Sequence, residues 1–84
     1  MKRLFFYTKP GCSLCDILLP GVKALAVEKG LALTLVDIRA DEDDYERYRY
    51  RIPVVTLEKV ELGWGRVAHA ALREALEAAL AAET

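Results

Sequence analysis

Residues 4–15 read LFFYTKPGCSLC, and the predicted fold is built outward from them. Its first part is a short apolar and aromatic run, which is typical of a β-strand. The Lys9-Pro10-Gly11 segment predicts a turn, and Cys12 and Ser13 open a helical pattern that continues to about residue 29. We expect Ser13 to cap the start of that helix. Cys12 and Cys15 therefore stand where a strand passes into a helix.

A cysteine pair at the start of a helix favours redox chemistry. The thiolate, and not the thiol, is the reactive form of cysteine, and the unpaired N–H groups and dipole of a helix N-terminus favour that anion. Residues three apart on a helix have Cβ atoms about 5–6 Å apart, so a small adjustment of the first turn allows a disulfide. We predict that Cys12 attacks a substrate disulfide. Cys15, more buried and protonated, then attacks Cys12 and releases the reduced product.

Packing and metal binding are the alternatives to a redox role for the cysteine pair. Buried cysteines often serve packing alone. A structural zinc site needs four ligands, and among the residue types that usually supply them only His69 is available beyond the pair. Zinc or an iron–sulfur cluster would then require carboxylates or a second chain. We predict no metal site, and keep a non-catalytic module that binds a metal, a cluster or a protein partner as the alternative function.

The rest of the chain alternates strand and helix patterns. Apolar spacing, breakers and acidic first turns predict strands over 4–8, 31–38, 53–57 and 60–62, and helices over 13–29, 41–48 and 66–82. Pro20 should kink or interrupt the first helix. The order βαβαββα implies one α/β domain over residues 1–84, with a four-stranded mixed sheet and helices on both faces. Strands joined through a helix should be parallel, and the last two should form a hairpin.

The stretch 5–15 resembles the active-site segment of the glutaredoxin branch of the thioredoxin-like superfamily, and is similar to small bacterial glutaredoxin-like proteins with a Cys-x-Leu-Cys motif. Three further segments agree with it: Pro20 in the first helix, Ile52-Pro53-Val54, and the glycine turn at 62–66 (LGWGR). The resemblance implies a thioredoxin-like fold and disulfide exchange, with Cys12 as nucleophile and Cys15 as resolving thiol.

The resemblance also implies where a substrate binds. It implies that the Ile52-Pro53 peptide bond is cis and lies against the cysteine pair. The Ile52 backbone would then be free to pair with an extended substrate. Lys9, Arg51 and the turn at Gly63 are the other residues that we expect to contact substrate.

Three two-residue segments depart from familiar glutaredoxins. Ser13-Leu14 stands between the cysteines in place of Pro-Tyr, Arg51-Ile52 precedes the proline in place of Thr-Val, and Arg66-Val67 replaces the acidic pair that holds the glutathione amino group. We expect no cofactor. The partner is then a disulfide-containing protein or glutathione as co-substrate, and the electron donor, glutathione or thioredoxin reductase, stays open.

Charge and composition argue against other function classes. The chain has 12 basic and 13 acidic residues and a net charge of −1, which gives no electrostatic footprint for nucleic acid. The first apolar run stops at Thr8-Lys9-Pro10, too short for a signal peptide, and no stretch reaches the length of a membrane span. We expect a cytoplasmic monomer. The absence of Asn and Gln fits a thermophilic source.

Overall fold

A computed structural model describes residues 2–82 and contains the predicted order of elements. The elements are β1 (Arg3–Thr8), α1 (Ser13–Lys29), β2 (Ala32–Asp37), a 3₁₀ turn (Ile38–Ala40), α2 (Glu42–Tyr48), β3 (Val54–Leu57), β4 (Val60–Trp64) and α3 (His69–Ala81). This order confirms the βαβαββα prediction. Within the described residues, no helix is long and apolar enough to cross a bilayer.

The four strands form one mixed sheet in the order β2-β1-β3-β4. β1 and β2 are parallel, whereas β3 runs antiparallel to both β1 and β4. The register pairs Thr8 with Asp37, Tyr7 with Val54, and Val54 with Trp64. The carboxyl ends of β1, β2 and β4 therefore meet the amino end of β3 at one end of the sheet, and the segments that follow or precede those residues gather there.

Helices cover both faces of the sheet, as predicted. α1 and α3 bury their apolar stripes against one face, where the main core contains Leu4, Phe6, Val22, Leu25, Val55, Leu57, Leu72 and Leu76. A smaller cluster of Ile38, Tyr48 and Val54 lies under the 3₁₀ turn and α2 on the other face. Burial of such side chains contributes about 1.5–3 kcal/mol each before entropy is counted, so the two clusters are the main source of stability.

α1 is a single helix that continues through Pro20, so an interruption there is wrong, whereas a kink at Pro20 stays a prediction. It ends at Gly30, whose left-handed φ of 66° lets its N–H reach the Val27 carbonyl while the Leu31 N–H reaches that of Ala26. This glycine ends α1 as a left-handed cap.

Ion pairs tie the end of α1 to α3. The Glu28 carboxylate accepts a hydrogen bond from the Arg73 guanidinium, and Lys29 Nζ lies 2.8 Å from Glu77 Oε2. The hydrogen bond from Arg73 holds the pKa of Glu28 below its ordinary value. The two carboxylates are exposed and the two cations are half-buried, so solvent screens much of their contribution to stability.

Three elements show effects of tertiary structure that the sequence pattern does not predict. β2 is an edge strand, and Leu35 in it is 51% exposed. β4 extends to Trp64 because Trp64 pairs with Val54 of β3. α3 starts at His69 and not at residue 66, since Gly65 turns the chain with a φ of 64° and donates its N–H to the Pro53 carbonyl at 2.8 Å.

Two glycines allow α3 to approach its neighbours closely. The His69 ring lies over Gly21 of α1, where a methyl group would come within 2.8 Å of His69 Nδ1. At Gly63 in β4 a methyl group would lie 2.9 Å from both Leu72 Cδ2 and Val67 Cγ2. Because Leu72 is fully buried, it has little room to yield there.

We therefore expect Gly63→Ala to lower the free energy of unfolding by about 1–3 kcal/mol through overpacking. Val67→Ala should relieve part of the clash, so the double variant should be more stable than the sum of the two single changes predicts, by at least about 0.5 kcal/mol. Urea unfolding of the four oxidised proteins measures this. Additive losses would show that the close approach at Gly63 does not constrain α3.

Candidate functional site

The cysteine pair lies between the end of β1 and the first turn of α1. Gly11, with a φ of 82°, allows the tight turn that connects Thr8 to α1. Cys12 and Cys15 form a disulfide, with their Cα atoms 5.2 Å apart. The predicted pairing of these two residues is thus present.

Cys12 itself is the N-cap of α1. Its backbone is extended, with φ −89° and ψ 99°, and its Sγ accepts a hydrogen bond from the Cys15 N–H at 3.1 Å. The expectation that Ser13 caps the helix is wrong, because Ser13 is already the first helical residue and the Cys12 sulfur takes the position of the capping oxygen. The sulfur therefore sits at the end of α1 where unpaired N–H groups create a positive potential.

The two sulfur-bearing residues differ in exposure. Cys15 is 2% exposed and belongs to the main core cluster, whereas Cys12 is half-buried and packs at its margin. Solvent and a substrate can reach Cys12 more readily than Cys15. This asymmetry agrees with the predicted roles of an attacking and a resolving sulfur.

The Ile52-Pro53 bond is cis, as the resemblance implies. Since Tyr7 pairs with Val54, the segment before β3 lies at the same end of the sheet as the loop that leads into Cys12. Pro53 is buried, and Ile52 packs against both core clusters. A substrate contact at Ile52 or Pro53 stays a prediction.

The Ile52 backbone is only partly free, which corrects the expectation. Its N–H donates to the Tyr48 carbonyl at 3.1 Å, and the Arg51 N–H donates to the same carbonyl at 2.8 Å. Both N–H groups thus complete the end of α2. The Ile52 carbonyl accepts no hydrogen bond from residues 2–82, so it is the group that remains for an extended substrate.

Arg51 is fixed beside this segment by two contacts. Its Nη2 lies 2.8 Å from Glu61 Oε1, and its Cζ lies 4.9 Å from the centre of the Trp64 ring. Trp64 is half exposed, so the stacked pair forms part of the surface next to Pro53. Arg51 and Trp64 are 13 residues apart, and only the register of β3 and β4 reveals their contact.

The other two predicted residues, Lys9 and Gly63, have different surroundings. Lys9 lines a cleft of about 360 Å³ together with Cys15, on the side of β1 that faces β2. Gly63 contacts Val67 and Leu72 under α3, which is a packing role; its contact with substrate stays a prediction. Within residues 2–82, no group of three or more His, Cys, Asp or Glu side chains is placed to hold a metal ion.

The family model described as glutaredoxin-like domain (DUF836) matches residues 3–81. The chain belongs to this glutaredoxin-like family. A search of curated proteins finds no match.

Solved structures show that this glutaredoxin-like protein has the thioredoxin fold. It is similar to thioredoxin 1 from Thermosipho africanus, with a TM-score of 0.73, 14% identity, and coverage of 96% of this chain and 97% of that one. A Nitrosomonas europaea protein solved by NMR gives a TM-score of 0.70 at 23% identity, covering 84% of this chain and 86% of that one. A thioredoxin variant from Halobacterium salinarum gives 0.69 at 22%, covering 92% and 73%.

These similarities establish the thioredoxin fold, and the family match establishes that the protein is glutaredoxin-like. Together with the Cys12–Cys15 pair they support a redox-type function for the glutaredoxin-like protein.

The Arg51–Trp64 contact can be tested by fluorescence, because Trp64 is the single tryptophan of the chain. Arg51→Ala should raise the acrylamide quenching constant of Trp64, since one face of the ring loses its cover. Arg49→Ala is the matched control: Arg49 stacks on Tyr45 and Tyr50 and should leave the constant unchanged. Equal quenching in all three proteins would contradict the stacked arrangement.

Proposed function

We propose that the protein is a thiol–disulfide oxidoreductase in which Cys12 attacks and Cys15 resolves. The observation that carries this proposal is the position of the Cys12 sulfur. It is half-buried at the N-terminus of α1, receives the Cys15 N–H, and is bonded to a sulfur that is almost fully buried.

The first step uses the reduced protein. The Cys12 thiolate attacks one sulfur of a substrate disulfide, a new S–S bond joins Cys12 to that half of the substrate, and the other half leaves as a thiolate that takes up a proton. The N–H groups of α1 lower the free energy of the attacking anion.

The second step uses Cys15. Its thiol loses a proton and attacks Cys12 Sγ, which restores the disulfide between the two residues and expels the second half of the substrate as a thiol. Over both steps the protein dithiol is oxidised and the substrate disulfide is reduced. A thiol donor, either glutathione or a reductase-linked dithiol, then returns the protein to its reduced form.

Substrate binding is assigned to the segment before β3. Arg51 offers a guanidinium held in place by Glu61 and Trp64, and Ile52 offers a carbonyl acceptor next to the buried Pro53. This combination suits an extended peptide or glutathione, since both present backbone N–H groups near a disulfide and glutathione adds carboxylates for the guanidinium. Lys9 and Gly63 complete the residues assigned to substrate contact.

Serine replacements of the two cysteines test the assignment of roles. After reduction, Cys15→Ser should accumulate one mixed disulfide on Cys12 when treated with bis(2-hydroxyethyl) disulfide, because no thiol remains to resolve it. Cys12→Ser should form that adduct at least about tenfold more slowly, since its remaining thiol is buried. Mass spectrometry of quenched samples gives both rates.

Two results would contradict these assignments. Faster adduct formation in Cys12→Ser than in Cys15→Ser would reverse the assignment of nucleophile and resolving thiol. If the reduced wild-type protein turned over no disulfide with either glutathione or thioredoxin reductase as donor, the proposed activity itself would fail.

A further inference from the structure

The cleft beside Cys15 is separate from the cis-proline segment assigned to the substrate, and it shares only Lys9 with the residues assigned to substrate contact. Its walls come from β1, β2 and the first turns of α1, and β3 and β4 contribute no side chain to it. Because β1 lies between β2 and β3 in the sheet, the cleft and the cis-proline segment lie on opposite sides of β1. Cys15 lines the cleft, whereas Cys12 does not.

The floor of the cleft is apolar. Leu19 and Leu35 supply its accessible surface above the buried Phe6, and Leu35 keeps 51% of its surface exposed although it projects from the sheet face that α1 covers elsewhere. At about 360 Å³ the cleft is at the small end of ordinary ligand sites. An apolar group of a few carbon or sulfur atoms would cover this surface and remove it from water.

The rim of the cleft carries charges of both signs. Lys9 and Asp16 line it, and neither forms an ion pair with any residue in the part of the chain that is described. Asp37 also lines it but is already occupied: Arg39 Nη2 lies 2.8 Å from its Oδ2, and that hydrogen bond lowers the pKa of Asp37. One unpaired cation and one unpaired anion therefore face a ligand.

We propose that this cleft is a second binding site, for a small zwitterion of the amino-acid class with an apolar side chain. The ligand carboxylate pairs with the Lys9 ammonium, its ammonium group pairs with the Asp16 carboxylate, and its side chain lies on Leu19 and Leu35, above the buried Phe6 and Cys15. A ligand with a single charge satisfies one partner and leaves the other solvated. The net charge of the cleft, with Arg39 compensating Asp37, selects a neutral zwitterion over a di-anion or a di-cation.

S-methyl-L-cysteine is a suitable probe, because it is a zwitterion with an apolar tail and has no thiol or disulfide. Titrated into the oxidised wild-type protein, it cannot take part in disulfide exchange, so the result is independent of the proposed activity. We expect saturable changes in the ¹⁵N–¹H spectrum at Thr8, Lys9, Asp16 and Leu35. N-acetylation or methyl esterification of the probe should each weaken binding about tenfold, since each removes one charge-assisted contact.

Variants identify which contact each probe loses. Lys9→Met and Asp16→Asn should each weaken binding of the zwitterion about tenfold. Asp16→Asn should leave the affinity of the N-acetylated probe unchanged, because that probe has no ammonium group. Lys59→Met and Asp43→Asn, exposed charges that do not line the cleft, are the matched controls and should bind like the wild type.

Two outcomes overturn the proposal. One is the absence of saturable changes at the cleft residues with the zwitterion. The other is binding that is equally strong for the zwitterion, its N-acetylated form and its methyl ester, or that neither Lys9→Met nor Asp16→Asn weakens. Either result would show that the charges of the rim play no part.

Discussion

The proposed chemistry of this protein depends on its fold through one hydrogen bond, which the Cys15 backbone N–H donates to the Cys12 sulfur. It exists only because the chain leaves β1 through the turn at Gly11 and enters α1 with Cys12 in the capping position. The rest of α1 is anchored by Val22 and Leu25 in the core, so the N–H groups at its first turn are held in place before any substrate arrives. Such pre-organised donors stabilise an anion without reorganisation.

The sheet then brings the segment assigned to substrate binding to the same end of the molecule. Since β3 runs antiparallel to β1 and β4, the segment before β3 meets the loop after β1 and the end of β4. Arg51 and Trp64 become neighbours in this way, and the Pro53 carbonyl receives the Gly65 N–H. On the other side of β1, the parallel partner β2 contributes Leu35 and Asp37 to the cleft beside Cys15. A single sheet order therefore produces two distinct surfaces around one disulfide.

Local sequence signals predicted the parts of this arrangement that depend on neighbours in the chain. The strand–turn–helix pattern around Cys12, the end of the first helix at residue 29 and the order of elements follow from periodicity and breakers, and all are present. The cis bond before Pro53 came from the family resemblance and not from physical reasoning, because a cis X–Pro bond is uncommon a priori.

The features that sequence reasoning missed depend on contacts between distant segments. The late start of α3 follows from the left-handed turn at Gly65. The engagement of the Ile52 N–H follows from the end of α2, and the exposure of Leu35 follows from the position of β2 at the sheet edge. The prediction of Ser13 as the cap was wrong because the Cys12 sulfur, one residue earlier, occupies that position. Capping preferences are based on side-chain oxygen atoms, so they do not indicate a sulfur cap.

An NMR pH titration of the reduced protein tests most directly whether the N-terminus of α1 holds the Cys12 anion. The Cys12 ¹³Cβ resonance should titrate well below the free-thiol pKa of about 8.5, and the Cys15 amide proton should shift with the same midpoint because it donates to that sulfur. A Cys12 midpoint at or above the free-thiol value, with a Cys15 amide that does not respond, would contradict it.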